Sequence, residues 1–265
     1  MTSNGKGAGG QSGGGVVGIA VAAIALVIIA VAVTAWLGGR SSASTTTTVI
    51  TRGAGSTGTS SQTPVSDTVA AGAHAFVQFG CAQCHGIGGV GGVSADVPAL
   101  NNLGSALTVQ QLTGIINHGL GEKADPTKPY MPVWRGIVSH RQVSELVAYI
   151  RARLPAVPGA TPPVVPTNQG LAVEGSVLYV RDGCVNCHGP NGLGGVPNPQ
   201  SPDKTVPTLL GAAFRAQFDT PAKIAAVIRS GSVIGRAPIV SMPHWGGILS
   251  QADVDALIAY LGTLQ

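Results

Sequence analysis

The chain has 265 residues, which is room for about two ordinary domains. Only 10% of the residues are charged, yet the mean hydropathy is positive at +0.32, which argues against disorder throughout. The net charge of +4 is modest and the basic residues do not cluster into a block. Nothing in this pattern indicates a nucleic-acid-binding protein.

The first segment with a clear character is an uncharged apolar run at residues 16–37. As a helix, these 22 residues span roughly 33 Å, enough to cross a hydrocarbon core of about 30 Å. A cleaved signal peptide is the alternative, but its apolar region is usually only about 7–15 residues long. We therefore expect a single uncleaved transmembrane helix at residues 16–37, preceded by a Gly-rich tail at residues 1–15.

Two composition breaks divide the rest of the chain. Residues 38–67 are rich in Ser, Thr and Gly, which predicts a flexible stalk. Residues 155–168 are rich in proline, which favours an extended, semi-rigid linker. Two blocks remain, at residues 68–154 and 169–265, and each is long enough for one small domain.

The two blocks are copies of one design. "AGAHAFVQFGCAQCHG" (71–86) aligns with "VEGSVLYVRDGCVNCHG" (173–189) without a gap from Gly72 and Gly175 onwards. Further on, "VPAL" (97–100) matches "VPTL" (206–209), and "MPVW" (131–134) matches "MPHW" (242–245). The closing segments "SHRQVSELVAYIRARL" (139–154) and "SQADVDALIAYLGTL" (250–264) also match.

The periodicity of both blocks predicts helices and no strands. Apolar residues recur at helical spacing after Ser139 and Ser250, and both serines have a capping-box partner three residues later. Middle helices are expected at residues 108–118 and 220–230, each ending before a glycine. Each block is then about three helices joined by long glycine-rich loops, which need something large to pack on.

All four cysteines lie in C-x-x-C-H motifs, which can hold zinc, act as a redox dithiol or attach a c-type haem. A shared zinc site is disfavoured because the two pairs lie far apart, in separate blocks. A thioredoxin-like dithiol lacks its usual strand–helix–strand context and does not explain the histidines. Haem attachment explains the whole motif, with two thioether bonds and a histidine ligand to iron. The residues are Cys81, Cys84 and His85, and Cys184, Cys187 and His188.

The sixth iron ligand follows by elimination. Met131 and Met242 occupy the same place in the repeat, each before a proline, in a chain with few methionines. A buried methionine is ordinarily core filler, but its place in a non-helical turn of both copies favours a ligand. The histidines outside the motifs have no ligating counterpart in the other copy, and we interpret them as surface or loop residues. They are His74, His118, His140 and His244.

On these residues the blocks resemble class I cytochromes c, an all-α family. The resemblance implies that the carbonyls of Pro98 and Pro207 accept hydrogen bonds from the proximal histidines. It also implies that Leu100 and Leu209 pack on the haem. One departure is an insertion in the second block, so that Pro207 lies 19 residues after its histidine (207 − 188) and Pro98 only 13 (98 − 85). The expected architecture is two tandem cytochrome c domains after one transmembrane helix, with two covalently bound haem c groups.

His/Met ligation leaves no open position on either iron, which favours electron transfer over catalysis by the chain itself. The layout is similar to the dihaem subunits of cbb-type oxidases and of actinobacterial bc-type complexes. The resemblance thus implies a membrane-anchored carrier between a quinol-oxidising complex and a terminal oxidase. The alternatives are the cytochrome subunit of a periplasmic dehydrogenase or a dihaem peroxidase. In this family haem is attached outside the cytoplasm, so we expect the domains on the periplasmic or extracytoplasmic face of a bacterial membrane.

Overall fold

The computed structural model describes residues 65–121, 128–199, 201, 204–231 and 242–264. The predicted tail, transmembrane helix and most of the stalk lie outside these residues. In the described part, no helix is long and apolar enough to span a membrane. The described part contains helices and isolated β-bridges but no strand, in agreement with the all-α prediction.

The first half contains five α-helices in the described residues. They are α1 (Asp67–Gln78), α2 (Cys81–His85), α3 (Leu103–Ala106), α4 (Val109–His118) and α5 (His140–Arg151). A short 3-10 turn, Ile87–Gly89, follows α2. The predicted capping box of Ser139 and Gln142 is confirmed at the start of α5, and Thr108 and Gln111 form another at the start of α4.

The second half repeats this order. Its helices are α6 (Leu171–Arg181), α7 (Cys184–His188), α8 (Gly211–Gln217), α9 (Pro221–Ser230) and α10 (Gln251–Thr263). A 3-10 turn, Pro190–Gly192, follows α7, and the predicted capping box of Ser250 and Asp253 is confirmed. The short helices α2, α3, α7 and α8 add to the three predicted for each block. They are too short to show an apolar periodicity in the sequence.

The first and last helices of each half cross at a glycine. A Cβ atom on Gly72 would overlap the backbone carbonyl of Glu145, and one on Gly175 would overlap that of Ala256. The aromatic residue four positions later packs on a tyrosine of the last helix. Phe76 meets Tyr149 with ring centroids 5.7 Å apart, and Tyr179 meets Tyr260 at 5.4 Å. The aromatic residues at each crossing form part of the hydrophobic core of that half.

The Pro-rich segment between the halves is held at both ends. Val157 and Ala160 pack against the first core, while Val165 packs against the second. The segment has no helix, as its prolines predict.

Candidate cofactor-binding sites

Each C-x-x-C-H motif forms a short helix that begins after a left-handed glycine. Gly80 has φ 70° before α2, and Gly183 has φ 77° before α7. Residues three apart on a helix share a face, so the two cysteines of each motif lie on one side of the helix. Both copies carry glycine at this position, and glycine readily adopts the left-handed turn from which the short helix begins.

His85 is held by a hydrogen bond from its Nδ1 atom to the Pro98 carbonyl, at 3.0 Å. This bond leaves Nε2 as the ring nitrogen that can ligate a metal. Burial lowers the pKa of His85, and the Pro98 carbonyl opposes part of that shift. The ring is therefore kept neutral, the form that a metal requires.

His188 occupies the same place in the second half with a looser partner. Its Nδ1 atom is buried and makes no hydrogen bond of standard geometry with any residue that the structure describes. The Pro207 carbonyl is nonetheless close enough to oppose part of the lowering of the His188 pKa that burial causes. Pro207 therefore lies beside the ring but is less well aligned than Pro98. The insertion before Pro207 accounts for the difference.

Both methionines follow the end of the middle helix of their half. Met131 forms an antiparallel bridge with Leu120, with both N–H···O distances at 2.9 Å, and its side chain packs against the first core. The Trp134 N–H then donates to the Ile116 carbonyl at 3.1 Å, which fixes the loop on α4.

The second methionine loop is attached in the same way. The Trp245 N–H donates to the Ile228 carbonyl on α9 at 3.3 Å, and Met242 packs against the second core. A Cβ atom on Gly231 would lie 2.5 Å from the Met242 carbonyl oxygen, and the corresponding distance from Gly119 to the Met131 carbonyl is also 2.5 Å. The glycine after each middle helix therefore lets the methionine loop approach.

The two leucines also have matching positions. The Leu100 N–H donates to the Gly89 carbonyl at 2.7 Å, and the Leu209 N–H donates to the Gly192 carbonyl at 2.8 Å. Leu100 is buried in the first core, and Leu209 packs against the second. The structure thus gathers the motif, the leucine and the methionine of each half around one core.

Comparison with known proteins finds one family match in each half of the chain. Residues 172–265 match the family Cytochrome c, and residues 67–150 match the family Cytochrome C oxidase, cbb3-type, subunit III. The chain contains two cytochrome c domains. Such domains carry covalently attached haem c. No solved structure matches the chain.

Two curated relatives are similar over most of the chain. The Cbb3-type cytochrome c oxidase subunit FixP of Azorhizobium caulinodans is 31% identical over 188 residues, which are 69% of this chain and 56% of the relative. The Cbb3-type cytochrome c oxidase subunit CcoP of Cereibacter sphaeroides is 25% identical over 195 residues, which are 72% of this chain and 59% of the relative. The chain thus spans just over half the length of these relatives.

The four motif cysteines lie in surroundings that raise the pKa of a free thiol. Burial raises the pKa of Cys81 to about 12, with a contribution from Cys84, and raises that of Cys84 to about 12, with a contribution from Asp182. Burial raises the pKa of Cys187 to about 11, and that of Cys184 also rises, with Asp182 adding to the effect.

The geometry gives no support to the zinc interpretation. In the part of the chain that the structure describes, no three His, Cys, Asp or Glu side chains come together as a metal site. A structural zinc ion needs four such ligands. The described residues therefore do not bring together the ligand set of a structural zinc site.

The histidines outside the motifs are not all at the surface. His74, His118 and His140 are exposed, as expected. His244 lies in a loop, in agreement with the expectation of a surface or loop residue, but it is not at the surface, because it is only 9% exposed and its Nδ1 atom is buried. Its ring lies against Gly246. A Cβ atom on Gly246 would lie 2.6 Å from the His244 Cε1 atom. Its position beside Pro243 in a tightly packed loop accounts for the burial.

Three residues near the cytochrome c motifs had no role in the sequence analysis. Asp182 has a fully buried side chain that receives a hydrogen bond from Arg181 Nε at 2.7 Å. Asn186 and Tyr130 donate hydrogen bonds to the other domain. The signal that could have found them is a difference between the copies, since the matching residues are Phe79, Gln83 and Ser241.

Proposed function

We propose that the chain is a membrane-anchored dihaem cytochrome that passes electrons along a respiratory chain. Its haem domains comprise residues 68–154 and 169–265, joined by the linker at residues 155–168. The observation that carries this proposal is the duplicated donor set. Each domain combines a C-x-x-C-H helix, a half-buried neutral histidine and a methionine that packs against its core.

The residues fit haem c in both domains. The thiols of Cys81 and Cys84 form the thioether bonds in the first domain, and those of Cys184 and Cys187 form them in the second.

The iron would be held by His85 and Met131 in the first domain, and by His188 and Met242 in the second. The Pro98 carbonyl orients the His85 ring and makes its Nε2 atom more basic. Pro207 lies beside His188 in the same role. Leu100 and Leu209 exclude water from the haem face of their domains.

When bound, haem c supplies a reversible one-electron couple of its iron. With a histidine and a methionine of each domain as ligands, neither iron would keep a coordination site for a substrate. The thioether of methionine, a soft and neutral ligand, raises the reduction potential. These properties suit an electron carrier rather than an enzyme.

The location and partners follow from the remainder of the sequence and from the relatives. The apolar run at residues 16–37 anchors the chain in a bacterial membrane, with residues 1–15 in the cytoplasm and the stalk at residues 38–67 leading to domains outside it. Both curated relatives are named as subunits of cbb3-type cytochrome c oxidases. We therefore place this chain between a quinol-oxidising complex and a terminal oxidase.

The cofactor assignment is tested by mass and spectroscopy on the purified full chain. We expect an intact mass that includes two haem groups and an oxidised spectrum of two low-spin, methionine-ligated irons. Met131→Leu and Met242→Leu should each abolish one methionine-to-iron charge-transfer band and lower one potential. A single haem, or a high-spin iron in the wild-type chain, contradicts the assignment, and the second outcome is the one a peroxidase predicts.

The position of this protein in the respiratory chain is tested by affinity purification from membranes in mild detergent. We expect a haem–copper oxidase or a quinol-oxidising complex to copurify. The matched control is a chain that lacks residues 16–37 and carries an exported leader, which should lose the partner if the anchor supplies proximity. Copurification of a periplasmic dehydrogenase alone contradicts the placement.

A further inference from the structure

The two cytochrome c domains contact each other where their C-x-x-C-H helices begin. Gly80 and Gly183 are both buried. A Cβ atom on Gly80 would lie 2.6 Å from the Asp182 carbonyl oxygen, and one on Gly183 would lie 2.9 Å from the Phe79 carbonyl oxygen. Phe79 and Asp182 hold the same position in the repeat, so each domain offers the same backbone segment to the other. The contact is reciprocal and close enough that only glycine fits on either side.

Side chains from both domains extend this contact. The Asn186 side chain donates from Nδ2 to the Gln78 carbonyl at 2.7 Å. Cys84 belongs to the motif of the first domain, yet its side chain packs against the core of the second. The haem attached through Cys84 is therefore held at the domain boundary.

A further hydrogen bond joins the first domain to the methionine loop of the second. The Tyr130 hydroxyl donates to the Met242 carbonyl at 2.6 Å, across 112 positions of the sequence. Tyr130 comes directly before Met131, and the matching residue before Met242 is Ser241. Only the first copy of the repeat therefore has a tyrosine before its methionine, and this hydrogen bond runs from the first domain to the second.

We propose that Tyr130 is a positioning residue for the methionine ligand of the second haem, so that the first domain controls the ligation and potential of the second. This inference rests on the proposed function. The bond ends on the backbone carbonyl of Met242 itself and thus restrains the segment that carries the thioether. A ligand held in place by a hydrogen-bonded neighbour is harder to displace than one on an unrestrained loop.

The test is Tyr130→Phe in the full dihaem chain. The ring remains while the hydroxyl donor is removed. The two haems are distinguished by the strongly shifted NMR resonances of their axial methionine methyl groups, assigned with Met131→Leu and Met242→Leu. Exogenous imidazole is the competing ligand. We expect its affinity for the second haem to rise about fivefold, the equivalent of one hydrogen bond of about 1 kcal/mol.

The variant should also lower the potential of the second haem and leave that of the first unchanged. Tyr149→Phe is the matched control, because it removes a hydroxyl from the core of the first domain. It should change neither potential nor imidazole affinity at the second haem. Asn186→Ala removes the other side-chain hydrogen bond across the contact and should give a smaller shift in the same direction as Tyr130→Phe.

Two results overturn the proposal alone. One is a Tyr130→Phe chain whose second haem keeps the wild-type potential and imidazole affinity. The other is a shift of equal size at both haems, which indicates a general loss of structure. If Met242→Leu leaves both haem spectra unchanged, the ligand assignment of the proposed function is wrong, and this inference is wrong with it.

Discussion

Replacing Gly72 by alanine adds a methyl group where α1 crosses α5. The new Cβ atom would lie 2.7 Å from the Glu145 carbonyl carbon and 2.7 Å from the Tyr149 Cβ, and it would overlap the Glu145 carbonyl oxygen. Ordinary contact begins at 3.4 Å, so the helices must separate by about 0.7 Å (3.4 − 2.7) for the two carbon atoms alone. A backbone carbonyl cannot rotate away as a side chain can.

The expected magnitude combines two opposing effects. Alanine has a higher helix propensity than glycine by about 1 kcal/mol. Overpacking of a well-packed core costs about 1–3 kcal/mol, and the loss of contacts between separated helices adds to this. We expect Gly72→Ala to lower the free energy of unfolding of the first domain by about 1–3 kcal/mol.

The assay is native-state hydrogen exchange of the full chain, read in peptides from α1 and α5, which reports the first domain separately from the second. Gly114→Ala is the matched control. Gly114 lies in α4 of the same domain, and a Cβ atom there would meet nothing within 4 Å. The control should increase protection by up to about 1 kcal/mol. The reasoning is refuted if Gly72→Ala protects these peptides as well as Gly114→Ala does.

Two further predictions concern polar side chains that the structure places in hydrogen bonds. Burial raises the pKa of Asp182 from 3.8 to about 6, so its contribution to stability is present below pH 4 and is lost as the pH rises to about 6. Thermal unfolding between pH 4 and 7 should show that the free energy of unfolding falls by on the order of 3 kcal/mol. Asp182→Asn should largely remove this fall, and the exposed control Asp219→Asn should retain it. Superimposable pH profiles for wild type and Asp182→Asn would contradict this. The Arg151 guanidinium donates to the Gly104 and Leu107 carbonyls, both at 3.2 Å. Arg151→Met keeps the apolar stem and should weaken protection of α3 and α5 by about 1 kcal/mol, and unchanged exchange in both helices would show that these bonds contribute nothing.

Much of the fold was predictable because its signals are local. The capping boxes at Ser139 and Ser250 depend on residues three positions apart, and both form as predicted. The helices α4 and α9 begin and end where their caps and glycines indicate. The short helix α3 was missed because four residues cannot display a helical periodicity.

In the candidate sites, too, the sequence predicts one part and the fold decides the other. The repeat alone indicated the cysteines, histidines and methionines, because the C-x-x-C-H motif and the M-P pair each occur once per copy at a fixed place. The alignment of the Pro98 carbonyl with His85, and its poorer counterpart at His188, depend on how a long loop returns to the ring. Because this loop differs in length between the two copies, the number of residues between histidine and proline does not predict how well the carbonyl is aligned.

The sequence by itself determined that this chain has two copies of one helical domain, each with a C-x-x-C-H motif and a methionine. Those properties are matters of residue identity and short-range period. Only the tertiary structure decided that Cys84 packs against the second core, that His244 is buried, and that Tyr130 reaches Met242. These are contacts through space between segments up to 112 positions apart, set by the mutual packing of the two domains, and no local pattern of residues specifies them.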